Sequence, residues 1–223
     1  MKKLSLILLL ACFGLNAQTH INEGLWRGVL KLDAKKQVEL PFLFNVFYAD
    51  GLPTITIFNA EENIVIDEVE QKGDSVFFKM PVFDSEFKLR IFPGMMQGNW
   101  INNTRKDKNV IPFEAMFGQN QRFKGASLVR SHFEGRLETT FSPGTPDSSK
   151  AIGVFTQKMQ KLTGTFLTET GDYRYLEGVA DGSKLYLSCF DGAHAFLFVG
   201  SIDDYDMLNG TFYSGAHWQE KWV

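Results

Sequence analysis

Residues 24–32 read GLWRGVLKL, and residues 40–48 read LPFLFNVFY. In both stretches apolar side chains recur at every second position, which is the repeat of a β-strand with one buried face. Comparable short runs, bounded by Gly, Pro, Asn or Asp, predict further strands at 64–69, 75–80, 86–92, 136–141, 151–157, 161–168, 173–179, 184–189, 195–199, 207–213 and 217–223. No window of a dozen residues keeps a helical period, so the sequence predicts an all-β protein with at most one or two short helical turns.

The segments between the predicted strands carry the residues of tight turns. Lys72-Gly73-Asp74, Gly171-Asp172 and Asp181-Gly182 contain residue types that accept a positive φ at low cost. Short turns join neighbouring strands in antiparallel pairs. The sequence therefore predicts an antiparallel meander that forms a barrel or a sandwich.

The chain also repeats itself at a spacing of about 110 residues. Four short motifs recur in the same order: Gly24-Leu25-Trp26-Arg27 as Gly135-Arg136-Leu137-Glu138, Gly73-Asp74-Ser75-Val76 as Gly182-Ser183-Lys184-Leu185, Phe83-Asp84 as Phe190-Asp191, and Gly98-Asn99-Trp100 as Gly210-Thr211-Phe212. The repeat predicts two similar halves, about 22–118 and 133–223, with any boundary within 119–134. Two small barrels and one larger barrel or sandwich both fit this pattern.

The first residues predict export. Residues 1–18 read MKKLSLILLLACFGLNAQ, with a basic start and an apolar run that is too short to cross a bilayer. Cleavage after Ala17 would leave Gln18 or a nearby residue at the new terminus, and the all-β domain at 19–223 would lie in the periplasm or outside the cell. Leu9-Leu10-Ala11-Cys12 offers an alternative, in which Cys12 carries a lipid and anchors a lipoprotein to the membrane.

Charge and composition exclude some partners. The formal net charge is −3 and the basic residues are scattered, so the sequence offers no basic face for nucleic acid. Beyond Cys12 the only cysteine is Cys189, which leaves no pair for an internal disulfide. The chain contains 21 Phe, 6 Tyr and 4 Trp, and these rings predict a core stabilised by packing.

The densest group of polar residues is TETGDYRYLEG at 168–178. On a continuous strand, Asp172, Arg174 and Leu176 would share one face, so that Arg174 pairs with Asp172 or Glu169. Tyrosine and arginine also anchor many protein interfaces. The predicted binding patch comprises Glu169, Asp172, Tyr173, Arg174, Tyr175, Glu177, Asp191, His194 and His217.

Known catalytic and metal-binding motifs are absent from the sequence. It contains no Gly-x-Ser-x-Gly, no P-loop, no Rossmann fingerprint and no Cys-x-x-Cys. His194 and His217 each follow Gly-Ala, but their spacing fits no metal-ligand pattern, and we expect capped histidines at strand ends. We predict no catalytic residues, no metal and no cofactor; a hydrolase that uses either histidine as a general base is the enzyme alternative.

A second alternative comes from the Gly-x-aromatic tripeptides, which we expect to open strands at Gly24, Gly98, Gly164 and Gly210. Lipocalins also begin with Gly-x-Trp and are closed antiparallel barrels. A lipocalin-like carrier of a small apolar ligand is therefore a further hypothesis, and a wide barrel interior would favour it.

Longer motifs resemble a known family. Residues 169–178 (ETGDYRYLEG), 187–196 (LSCFDGAHAF) and 214–218 (SGAHW) resemble the N-terminal β domain of the exported TlpA/ResA-like thioredoxin-fold disulfide reductases of Bacteroidota, as do residues 24–28 (GLWRG), 80–87 (MPVFDSEF) and 140–145 (TFSPGT). In that family a thioredoxin domain with Cys-x-x-Cys follows. This sequence reaches Trp222-Val223 without that motif, so the resemblance does not extend to redox activity.

Together these observations predict an exported, non-catalytic β module of a TlpA-like system. We expect it to bind a partner protein, peptide or glycan, and the candidate protein partners are a thioredoxin-fold protein or another protein of the cell envelope. A shortened reductase that has lost its thioredoxin domain is the remaining alternative.

Overall fold

A computed structural model describes residues 20–124 and 131–223. The predicted signal peptide, its cleavage site and the alternative lipid anchor at Cys12 lie outside the described residues. Within them the chain forms antiparallel strands and no α-helix, so the predicted all-β fold is confirmed. No helix long enough to cross a bilayer occurs in the described ranges.

The first half of the chain forms one antiparallel sheet of nine strands. They are β1 (Gly24–Asp33), β2 (Val38–Ala49), β3 (Leu52–Asn59), β4 (Glu62–Ile66), β5 (Val69–Lys72), β6 (Ser75–Lys79), β7 (Ser85–Phe92), β8 (Met95–Asn102) and β9 (Val110–Phe117). Strand β1 pairs with both β2 and β9, which brings the start and the end of this half together in the middle of the sheet, and the two edges are β4 and β5.

The second half forms another nine-stranded sheet. Its strands are β10 (Gly135–Phe141), β11 (Ser149–Lys158), β12 (Lys161–Thr168), β13 (Gly171–Asp172), β14 (Leu176–Asp181), β15 (Lys184–Phe190), β16 (Ala195–Ile202), β17 (Leu208–Ser214) and β18 (Trp218–Trp222). Here β12 pairs with β11 and β14, and β10 pairs with β18, which closes the sheet into a barrel.

The two sheets have the same strand order. Each strand of the first half corresponds to the strand nine places later, and short β13 takes the place of β4. Three of the four repeated motifs fall at equivalent positions: Gly24 and Gly135 begin β1 and β10, Gly73 and Gly182 lie in the turns β5–β6 and β14–β15, and Gly98 and Gly210 lie within β8 and β17. In the fourth, Phe83 lies in the β6–β7 loop whereas Phe190 ends β15. The prediction of two similar halves is confirmed. Each half is a barrel-like sheet, with β4 and β5 as edges in the first half and closed by strand pairing in the second, and we call the halves the first and second barrels.

Several local predictions were wrong. Strands β3 and β9 were not predicted, although β3 has the alternating sequence LPTITIFN. Strand β8 was expected to open at Gly98 but begins at Met95. Of the four Gly-x-aromatic tripeptides only the first opens a strand, because Gly98, Gly164 and Gly210 lie inside strands. A Cβ at Gly98 or Gly210 would overlap the carbonyl oxygen of a neighbouring strand, at Lys88 and Val199 respectively. These glycines therefore allow close contact between strands inside the sheet.

The barrel interiors are filled with aromatic rings. In the first barrel Phe42, Phe87 and Phe113 pack with ring centroids 5.0 to 5.8 Å apart. The space left among the apolar side chains of this core is about 10 Å³, enough for a single water at most. In the second barrel Phe166 and Phe198 stack at 4.6 Å in an equivalent core.

The barrels meet end to side, and we call this contact the barrel junction. The end of the first barrel formed by the last residue of β3, the first of β7 and the last of β8 lies against the outer face of β15 and β16. From that face Phe190 and Leu197 belong to the core of the first barrel. The hydrophobic core of the first half is thus completed by side chains from the second half.

Polar groups in the junction are paired across it. The side-chain amide of Asn59 donates to the carbonyl oxygen of Phe190 at 2.8 Å and accepts from its N–H at 3.1 Å. Ser188 Oγ donates to the carbonyl oxygen of Pro41 at 2.5 Å, and Ser85 Oγ donates to that of Gly192 at 2.6 Å. These buried hydrogen bonds fix the position of one barrel against the other.

Cys189 offers a direct test of the packing of β15. Its side chain faces the second core and is fully buried, and burial raises the pKa of its thiol well above the ordinary value. Because the thiolate is the reactive form, we expect Cys189 to resist a maleimide reagent in the native protein and to react rapidly in urea. Labelling followed by mass spectrometry measures this, and fast labelling of the native protein would contradict the buried position.

Candidate functional site

The predicted patch around residues 168–178 does not form one continuous strand. Strand β13 ends at Asp172 and β14 begins at Leu176, because the backbone turns at Arg174, which has a positive φ of 62°. The carboxylate of Asp172 accepts a hydrogen bond from the N–H of Arg174 at 2.8 Å, which stabilises this turn. The expected sharing of one strand face by Asp172, Arg174 and Leu176 was therefore wrong.

Arg174 forms ion pairs with residues far away in the sequence. Its Nη2 lies 2.7 Å from Glu62 of the first barrel, and its Nε lies 3.0 Å from Asp191. The expected pairing with the side chain of Asp172 or Glu169 was wrong, since Asp172 binds only the backbone of Arg174. The Coulomb attraction of Glu62 and Asp191 outweighs burial and raises the pKa of Arg174. This arginine therefore joins the two barrels.

Asp191 is the most highly coordinated carboxylate of the patch. One oxygen accepts hydrogen bonds from the N–H groups of Ala193 and His194 at 2.9 and 2.7 Å, and the other lies 2.9 Å from His194 Nδ1. Burial opposes ionisation, but these bonds outweigh it and lower the pKa of Asp191. The charged form of Asp191 is thus favoured by folding, as is usual for a carboxylate with hydrogen-bond donors.

This shift predicts a dependence of stability on pH. Because the pKa of Asp191 is lower in the folded state than in the unfolded chain, its contribution is present above the unfolded value of about 4. The contribution is lost as the pH falls through the folded pKa. We expect Asp191→Asn to lower the free energy of unfolding at neutral pH and to flatten its decline as the pH falls below about 4, measured by urea unfolding. Asp147→Asn, which changes an exposed carboxylate, is the control. If the free energy of unfolding fell with decreasing pH equally in both variants, this role of Asp191 would be contradicted.

Tyr173 is part of the second core instead of the recognition surface. Its ring packs against Phe212 at 4.9 Å and against Phe141 and Phe198 at 5.3 Å. Burial raises the pKa of its hydroxyl to about 12. Tyr173 is therefore removed from the predicted patch.

Glu177 and His217 do not lie together in the predicted binding patch. Glu177 accepts from the N–H of Ala60 at 2.9 Å and lies 3.8 Å from Arg122, so it belongs to the barrel junction. His217 lies in the turn before β18, where burial and the charge of Arg105 lower its pKa. Glu169 is exposed in the turn before β13.

What remains of the predicted patch borders an open cleft between the barrels, which we call the Tyr175 cleft. Its volume is about 450 Å³, within the range of ligand sites. Tyr175 is 46% exposed beside it. The other lining residues are Ala60 and Glu61 from the β3–β4 turn, Val154 and Thr156 from β11, Thr163, Gly164 and Thr165 from β12, and Asp172 and Arg174.

The chemistry of the Tyr175 cleft suits recognition. Three threonine hydroxyls donate or accept hydrogen bonds, two carboxylates accept them, and one ring offers an apolar face. Arg174 is held in place by Glu62 and Asp191, so one wall is fixed before any ligand binds. A preorganised wall lowers the entropy that binding costs.

The Asp191–His194 pair has the form of an acid–base dyad. Within the described ranges, however, no Ser, Thr or Cys side chain is hydrogen-bonded to His194, and no group of three potential metal ligands occurs. The hydrogen bonds that the dyad does make close the β15–β16 turn. Its observed contacts are those of a capped turn.

Several residues that shape the barrel junction and the surfaces beside it were not predicted from the sequence. Asn59 is the last residue of β3 and Arg122 lies in an unpatterned stretch, and their partners are far away in sequence. Thr163 and Thr165 read as the ordinary polar face of a strand. For Arg27 a signal was available, since it is a charged residue inside an apolar strand.

No family model matches the chain, and no curated protein matches it. A structural search finds the crystal structure of a DUF3598-family protein of unknown function from Nostoc punctiforme, with 8% identity and a TM-score of 0.29 over 90% of this chain and 94% of that one. No functional assignment follows from that similarity.

Proposed function

We propose that this protein is a non-catalytic binding module of the cell envelope and that it docks a partner protein through the Tyr175 cleft. The observation that carries the proposal is an exposed tyrosine beside a polar cleft of about 450 Å³ whose walls come from two rigid barrels. Tyrosine is among the residue types that dominate binding energy at interfaces. Export is inferred from the signal-like residues 1–18.

The identity of the partner is inferred from the sequence resemblance. The TlpA/ResA-like reductases carry a thioredoxin domain after a β domain of this kind, and this chain has no Cys-x-x-Cys. We therefore propose a thioredoxin-fold protein of the envelope as the partner. The hydroxyl and carboxylate groups of the cleft would bind the backbone and polar side chains of a surface segment of that protein.

The filled core of the first barrel argues against the lipocalin-like alternative. Lipocalins hold their ligand inside the barrel, whereas the space left in this core is about 10 Å³. A ligand of the present protein has more room outside the barrels, in the clefts between them.

Affinity capture with matched variants tests the docking proposal. The tagged protein is used to capture partners from envelope extract, and Tyr175→Ala is compared with Tyr205→Ala. Tyr205 is 87% exposed in the β16–β17 loop, away from the cleft lining, so its loss removes a ring without touching the site.

We expect a thioredoxin-fold protein to be captured by the wild type and by Tyr205→Ala, and its yield to fall at least about tenfold with Tyr175→Ala. Thr165→Val, which removes one hydroxyl from the cleft, should give an intermediate loss. Equal yields from Tyr175→Ala and Tyr205→Ala would overturn the proposal. Capture of glycan without protein would also overturn it.

A further inference from the structure

A second cleft is lined by residues of both barrels, and we call it the Arg27 cleft. Its volume is about 410 Å³. Its lining includes Arg27, Val38 and Glu39 of the first barrel, Phe123 of the connection, and Tyr186, Leu197 and Val199 of the second barrel. Aromatic and aliphatic side chains thus surround a small number of charged groups.

Arg27 is the most unusual charge in this cleft. Its side chain is half-buried, and its Nε donates to the carbonyl oxygen of Arg122 at 2.8 Å. Among the described residues no carboxylate lies within ion-pair distance of Arg27, and the bond to Arg122 is the one hydrogen bond that its side chain makes. Burial lowers the pKa of Arg27, and only the more distant Glu39 opposes that effect.

A partly desolvated guanidinium without an ion-pair partner has a clear chemical preference. Its planar pair of terminal amino groups matches a carboxylate, which binds through two parallel hydrogen bonds. The bond from Nε to Arg122 fixes the orientation of the group in advance. Arg27 is therefore preorganised for an anionic group that enters the cleft.

The walls of the cleft select the rest of the ligand. The rings of Phe123 and Tyr186 lie 5.7 Å apart at an angle of 32°, and Leu197 and Val199 provide apolar surface nearby. Glu39 carries negative charge in the lining and disfavours a ligand that is anionic throughout. We propose that the Arg27 cleft binds a small carboxylate with an apolar, aromatic body.

The proposal is tested by calorimetric titration of the full protein with phenylacetate. Phenylacetamide has the same shape without the charge, and sulfate has the charge without the ring. We expect phenylacetate to bind at concentrations up to about 10 mM, and both comparison compounds to bind at least about tenfold more weakly.

Variants locate the site. Arg27→Gln should weaken phenylacetate binding at least about tenfold, and Arg27→Lys should weaken it as well, because lysine lacks the bidentate geometry. Arg136→Gln changes an exposed arginine of β10 and should leave binding unchanged. Amide shifts in NMR spectra of the wild-type protein should centre on Val38, Tyr186 and Val199.

Several outcomes would overturn the proposal. They are no binding of phenylacetate, equal binding of phenylacetamide, unchanged binding by a folded Arg27→Gln variant, or amide shifts that centre on other residues. If Arg27→Gln does not fold, the proposal is still tested by two measurements on the wild-type protein: the NMR shifts of its backbone amides and the comparison of phenylacetate with phenylacetamide. The Tyr175 cleft has different lining residues, so failure here leaves the docking proposal intact.

Discussion

Replacing Phe190 with alanine should lower the free energy of unfolding by about 3 to 5 kcal/mol. Phe190 is fully buried, and although it ends β15 of the second barrel, its ring packs within the first. The ring stacks on Phe42 at 4.7 Å and meets Trp100 and Phe87 edge to face at 5.1 and 5.7 Å. Alanine would leave a cavity at the contact between the barrels, where neither rigid sheet can collapse to fill it.

Urea unfolding followed by tryptophan fluorescence measures this change. Phe92→Ala provides the control, since Phe92 is 39% exposed at the end of β7 and should cost less than about 1 kcal/mol. If both variants lost similar stability, the first barrel would not depend on the second for its core. Asn59→Ala should have a smaller effect in the same direction, because it leaves both hydrogen-bonding groups of the Phe190 backbone without their partner.

Replacing Arg122 with methionine is expected to have the second large effect, a loss of about 3 kcal/mol. The side chain of Arg122 is only 3% exposed, and its guanidinium donates to the carbonyl oxygens of Ser188 and Phe58 at 3.3 and 2.5 Å. Glu177 lies 3.8 Å away and partly offsets the cost of the buried charge. Methionine keeps the volume of the stem but leaves these acceptors and Glu177 without the cation.

A double-mutant cycle separates the pairwise interaction from general damage. Arg122→Met and Ser188→Ala should together cost less than the sum of the two single changes, because the Arg122–Ser188 hydrogen bond at 3.1 Å is lost in each. Arg136→Gln is the control for removing an arginine from the surface. Additive effects in the cycle would contradict a direct contribution of this contact to the junction.

The fold was largely predictable because it depends on local patterns. Alternating apolar residues define strands such as β1 and β2, and Gly73 and Gly182 mark the turns that follow β5 and β14. The repeat of those turns in order also predicted two similar halves. Local sequence patterns, however, do not distinguish a barrel that completes its own core from one whose end is covered by another domain.

The junction was not predicted because its contacts join distant parts of the chain. Near the end of β15, Ser188, Cys189 and Phe190 are all buried, although successive strand residues face opposite sides. Three consecutive buried residues indicate a strand covered on both faces, and the sequence LSCF contains that signal. Which surface covers the outer face depends on pairings such as Asn59 with Phe190, 131 residues apart.

The predicted patch illustrates the same limit. A cluster of charged and aromatic residues in sequence was expected to form one surface, but Tyr173 enters a core and Arg174 bridges to Glu62. Asp172 and Tyr175 alone remain at the cleft with exposed side chains. The positive φ of Arg174 separates them from their neighbours, and a backbone turn of this kind at a non-glycine residue is difficult to anticipate from sequence.

Site-specific photo-crosslinking in living cells tests docking at the Tyr175 cleft most directly. A benzoylphenylalanine replaces Tyr175 in one strain and Tyr205 in another, and the crosslinked products are identified by mass spectrometry. Docking through the cleft predicts one discrete product from position 175, formed with a thioredoxin-fold envelope protein, and none from position 205. Products of equal yield at both positions, or no product at 175, would contradict docking through the cleft.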